Sequence, residues 1–138
     1  MNRFLQKMVY FVNMPRIVVF SVILFVLRVL VVVVIEGLFT NVEATAQIFY
    51  KLSIEYICGG LVVFFVFRKL AQIQVRLLYV HVFLIVIIQE LIGTALLHAI
   101  GSNNPPSPLW FVDWVVLAVS VLLGTEVGRR LRGSVERI

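Results

Sequence analysis

The sequence predicts an all-α membrane protein: an up-down bundle of four transmembrane helices preceded by a short N-terminal interfacial helix. Composition is the first reason. Of 138 residues, 62% are hydrophobic and 14% are charged, with a mean hydropathy of +1.07. Soluble domains are about half apolar and a quarter charged, so a disordered chain, a fibrous repeat and an ordinary soluble domain are all excluded. The second reason is the presence of four apolar runs, each long enough to cross roughly 30 Å of hydrocarbon, which takes about 20 helical residues. Third, none of these runs alternates polar and apolar residues, as a lipid-spanning barrel would. At this length a single small domain is expected, with no separate enzyme attached.

The elements follow in order. Phe4, Leu5, Met8, Val9, Phe11 and Val12 recur at helical spacing among Asn2, Arg3, Gln6, Lys7 and Asn13. This pattern suits a short helix lying on the membrane surface and ending before Pro15, which interrupts it. The four spans are expected at about 17–39, 48–67, 77–100 and 109–127. Residues 40–45 link spans one and two. Arg68 to Gln74 is either a link or a helical extension before span three. Gly101 to Pro108, dense in turn formers, precedes span four. Links this short make sequential helices antiparallel neighbours.

Charge placement sets the orientation. Arg3, Lys7 and Arg16 precede span one, Arg68, Lys69 and Arg76 lie between spans two and three, and Arg129, Arg130, Arg132 and Arg137 follow span four. The other side carries Lys51 alone among the lysines and arginines flanking the spans. The positive-inside rule then puts both termini in the cytoplasm, for a multi-pass protein of a bacterial inner membrane. The formal net charge of +5 is thereby a topology signal that meets anionic headgroups, and nucleic acid is not an expected partner. So strong a bias also argues against dual-topology insertion.

Ionisable side chains inside a bilayer cost about 2.5–3.5 kcal/mol each on insertion scales, which makes them functional candidates. At about 1.5 Å of rise per residue, Arg28 and Glu90 fall near the middle of spans one and three. Glu55 lies toward the outer half of span two, with Glu36, His98 and Asp113 nearer the outer surface. Arg28 can pair with Glu90 or Glu55 across the bundle. Glu36, Glu55 and Glu90 still outnumber the single deep cation, so one carboxylate must be protonated, hydrated, shared with another subunit or paired with a ligand. Glu90, Gly93, Thr94, Leu97 and His98 share one broad face of span three, small or polar apart from Leu97, with Ala95 and Ala99 at small-xxx-small spacing on its flank. Glu55 and Gly59 lie one turn apart on span two, and the two faces are expected to meet.

Other chemistry finds little footing. Cys58 is the lone cysteine, so no disulfide, redox pair or thiolate cage forms within one chain. No phosphate loop, His-Glu-x-x-His or Gly-x-Ser-x-Gly motif is present. His81 and His98 are about 25 Å apart along one helix and cannot bracket a haem iron. No cofactor, metal or enzymatic activity is expected. Trp110, Phe111 and Trp114 at the start of span four fit an aromatic belt, and Asp113 between them suits the positive end of the helix.

Ile54-Glu55 and Gly60-Leu61-Val62-Val63-Phe64-Phe65 in span two, Ser107-Pro108-Leu109 before span four and Arg129-Arg130-Leu131 after it resemble the phosphate-starvation-inducible PsiE-type inner-membrane proteins. The resemblance covers spans two to four and implies a four-span inner-membrane protein without a catalytic residue. Where that family presents a basic residue in span three, this chain has Gln89-Glu90-Leu91.

The function expected from these readings is non-enzymatic. The chain acts through helix contacts as an accessory subunit or homo-oligomer in the lipid bilayer. The alternatives are a proton or cation carrier or channel built on Glu55 and Glu90, with Arg28 tuning them and His98 relaying protons outward, and an immunity-type protein against a pore-forming toxin.

Overall fold

The computed structural model describes residues 13–39, 45–99 and 110–135. The expected interfacial helix and the links at 40–44 and 100–109 lie outside the described residues. Four helices are present: α1 (Met14–Leu38), α2 (Thr45–Ile73), α3 (Leu78–Ala99) and α4 (Trp110–Val135). Each is long and apolar enough to cross a membrane. Between 11% and 28% of each candidate span is buried inside the chain, so most of the apolar surface faces outward, as a lipid-facing bundle requires.

The helix bounds follow from local chemistry. Asn13 caps α1, its side chain accepting the Arg16 backbone N–H at 3.1 Å. Pro15 sits in the first turn, where its missing N–H costs nothing. α2 and α4 run past their expected ends, to Ile73 and Val135, because Arg, Lys, Leu and Gln continue a helix readily. Leu77, expected to open span three, instead has φ 50°. That left-handed conformation costs a non-glycine residue about 1–2 kcal/mol. It breaks the chain between α2 and α3, and the Leu77 carbonyl accepts the backbone N–H of His81 at 3.1 Å.

α1 presents one inward stripe, Ile17, Ser21, Leu24, Arg28, Val31 and Ile35, at alternating spacings of four and three residues. It packs on both α2 and α3, while the most extensive contact in the fold joins α2 to α4. This differs from the expected order, in which sequential helices would be neighbours: α3 has one extensive partner, α1. Hydrophobic residues of all four helices, Leu24, Phe67, Ile85 and Leu117 among them, form one buried cluster.

Glycines explain the α2–α4 contact. A Cβ at Gly124 would stand 2.4 Å from the Phe64 carbonyl oxygen, and one at Gly128 would stand 2.3 Å from that of Arg68. Gly60 approaches Ser120 and Val116 in the same seam. Partners therefore advance together along both helices, 60 with 120, 64 with 124 and 68 with 128. Ser120, Gly124 and Gly128 form a small-xxx-small-xxx-small row, which lets backbones touch.

Polar side chains close the end of the bundle that carries Arg16 and Arg132. The last carbonyls of α2 lack partners within their own helix. Arg132 Nη1 donates to the Ala71 and Gln74 carbonyls at 3.1 and 2.8 Å. Arg16 Nη1 donates to Gln74 Oε1 at 2.6 Å and to the Ile73 carbonyl at 3.4 Å. Buried His81 joins α1 to α3: its Nδ1 lies 2.9 Å from the Leu77 carbonyl and its Nε2 accepts the Asn13 N–H at 3.1 Å. A carbonyl only accepts, so Nδ1 carries the proton and the imidazole is neutral.

Gly124→Ala and Gly128→Ala are each expected to destabilise the bundle by about 1–3 kcal/mol, the usual cost of forcing atoms into a packed contact. Gly133→Ala, with nothing within 4 Å of its Cβ, should be neutral or slightly stabilising. Denaturant titration in detergent micelles, followed by circular dichroism, checks the contrast.

Candidate functional site

Arg28 is the one cation on the inward stripe of α1, and α3 supplies its partners. Its Nη1 donates to Gln89 Oε1 and to Glu90 Oε1, each at 3.2 Å. Gln89 is buried on the face of α3 that meets α1, and Glu90 sits beside it, half-buried. Of the two expected partners for Arg28, Glu90 is the one it pairs with.

The remaining carboxylates sort by the cations within reach. Glu36, near the end of α1, pairs with Lys51 of α2. Sequence reasoning counted Glu36 against Arg28 alone, and Lys51, one helix away at the same depth, removes it from that surplus. Glu55 and Asp113 make no hydrogen bond or salt bridge with another described residue. The surplus charge is therefore Glu55 and Asp113, on α2 and α4.

Both face cavities. A cleft of about 250 Å³ between α1, α2 and α4 is lined by Arg28, Glu55, Tyr56 and Asp113 and walled by aliphatic side chains. Toward the Glu36 end it meets a wider cleft of about 600 Å³ between α1 and α2, which shares Leu52 and Glu55 with it. Toward α3 it adjoins a small cavity of about 130 Å³ that shares Arg28, Asp113 and Leu117 and includes Glu90 and Trp114. The three spaces form a series from the Glu36 end inward, ending at the Arg28–Glu90 pair.

Several expected arrangements are replaced. The Glu55–Gly59 face of α2 does not pack on the Glu90 face of α3. Gly60 of α2 meets α4 instead, and the side chain nearest to Gly93 is Phe25 of α1, at 3.9 Å. The reason is the α2–α4 seam, whose glycines hold α2 against α4. Ala95 and Ala99 are exposed and mark no helix contact among the described residues. His98 is exposed too, in the last turn of α3, about 12 Å along the axis from Glu90. Among the described residues, no three His, Cys, Asp or Glu side chains are grouped to hold a metal ion.

Sequence reasoning missed Asp113 and Tyr56 as cleft residues. Asp113 was assigned to the helix dipole, although its depth beside Glu36 and Glu55 was readable from the rise per residue. Tyr56 follows Glu55 directly and carried no separate signal.

No family model, no curated protein and no solved structure matches the chain. The class defined by the fold is accordingly the coarse one, an all-helical bundle of four helices able to cross a membrane.

Arg28→Met and Glu90→Met should each destabilise the bundle by at least about 1–3 kcal/mol, because each leaves a half-buried partner unsatisfied. The double substitution should recover much of that loss, since an apolar pair of similar volume replaces both charges. A double-mutant cycle in detergent unfolding measures the coupling.

Proposed function

We propose that the chain is a small multi-pass inner-membrane protein, an up-down bundle with both termini cytoplasmic, that works through helix contacts as an accessory subunit or homo-oligomer. One observation carries the reading. The Arg28–Glu90 pair, near mid-span, keeps 31% and 40% of its side-chain surface uncovered within one chain. Charged groups in hydrocarbon are costly, whereas a neighbouring protein helix can cover them. α3, held extensively by α1 alone, also turns Thr94, Ala95 and His98 outward. Small and polar residues of this kind favour helix association in membranes. No catalytic role is part of this proposal, and a PsiE-type kinship is its proposed ancestry.

The second reading, proton or cation movement, is favoured by a different observation: Glu55 and Asp113 line adjoining cavities with no ion-pair partner among the described residues. Glu90, committed to Arg28, is a weaker member of such a site than Glu55. Liposome flux compared between the parent chain and Glu55→Gln tests it, and flux equal to empty liposomes removes it.

For the leading reading, extraction in mild detergent followed by native mass measurement should give a dimer, a higher oligomer or a complex with another membrane protein. A strictly monomeric species with nothing co-purifying would count decisively against it.

A further inference from the structure

The cleft between α1, α2 and α4 has a chemistry that its own side chains leave incomplete. Its two carboxylates, Glu55 and Asp113, come from different helices and have no hydrogen-bond or ion-pair partner among the described residues, while the guanidinium beside them is engaged with Gln89 and Glu90. With Glu90 paired to Arg28, the cleft holds two carboxyl groups against one guanidinium that is already engaged. Its walls, however, are aliphatic: Val31, Leu52, Val63, Val116 and Leu117. On the α2 side Gly59 leaves them bare, with nothing within 4 Å of where its Cβ would be.

We propose that this cleft binds a protonated organic amine, its ammonium held between Glu55 and Asp113 and its apolar body against the valine and leucine walls. A bare or hydrated inorganic cation would use the carboxylates and leave those walls in contact with water. An amine with a short hydrocarbon body satisfies both, and Tyr56 adds an aromatic side chain to the lining. A space of about 250 Å³ falls just under the range for drug-sized ligands, so the amine has on the order of ten non-hydrogen atoms. Entry is from the Glu36 end, through the wider cleft that shares Glu55. On the side away from Glu36, buried Leu24, Phe67 and Val121 fill the space between the described helices, and binding in the cleft needs no passage through them. It rests on the second reading in placing a cation at these carboxylates, and it stands without movement across the membrane.

The test is equilibrium dialysis of phenethylammonium against the full chain in nanodiscs of zwitterionic lipid, with 2-phenylethanol as the uncharged counterpart. Saturable amine binding, at least tenfold tighter than the alcohol, is expected. Glu55→Gln and Asp113→Asn should each weaken it at least tenfold. Gly59→Leu, which fills the cleft and keeps both carboxylates, should abolish it with helix content unchanged. Equal binding of the alcohol, no saturable amine binding above empty nanodiscs, or unchanged affinity in both carboxylate variants overturns the proposal. Potassium chloride displacing the amine as effectively as a second amine overturns the organic class. If the carboxylate variants fail to fold, the amine–alcohol comparison and Gly59→Leu decide. Amine binding together with zero liposome flux removes the transport reading and leaves this one standing.

Discussion

The backbone contact between α2 and α4 governs the rest of the structure. At Gly124 and Gly128 even a methyl group would overlap a carbonyl oxygen of α2, so the two helices are locked in one register. Because partners advance together along both helices, fixing 124 against 64 and 128 against 68 also fixes the α4 segment near Asp113 alongside Glu55. α1 then lies against α2, and Arg28 comes to line the same cleft as both carboxylates. A seam of small residues on one side of the bundle thereby determines which charges meet on the other. Without a hydrophobic drive between helices in lipid, close van der Waals approach of this type is the main source of such specificity.

The fold was legible in the sequence to the level of four helices and their approximate bounds, because apolar runs of this length leave little choice. Helix order in space was not legible. Short links suggested sequential neighbours, but α3 is tied to α1 and α4 to α2, and the cause is side-chain fit. The row Ser120, Gly124, Gly128 was present as a signal. Ala95 and Ala99 have the same spacing and yet face outward. Spacing identifies a smooth helix surface; it does not say whether a partner in the same chain covers it.

The deep charges divide similarly. The Arg28–Glu90 pair could be anticipated from equal depth and opposite sign. That Gln89 shares the guanidinium follows from the rotation of α3, which depth counting does not address. Lys51 was recognised as an edge residue, yet its pairing with Glu36 changes which carboxylates are left over. A charge inventory that omits the helix ends therefore keeps Glu55 correctly but counts Glu36 in the place of Asp113.

The capping of α2 has a consequence for how the chain is made. The Ala71 and Gln74 carbonyls are completed by Arg132, and residues 71 and 132 are separated by two whole helices in synthesis order. A nascent chain that has emerged only as far as α3 has Arg16 available for the Gln74 side chain and the Ile73 carbonyl, but nothing yet for the Ala71 and Gln74 carbonyls. The end of α2 stays open to water or headgroups until α4 emerges, and the arrival of the last helix seats its glycines and closes those carbonyls in one event. The end of α2 is thus completed by a residue more than fifty positions later in the chain, and a chain cut before residue 132 leaves those carbonyls without this donor.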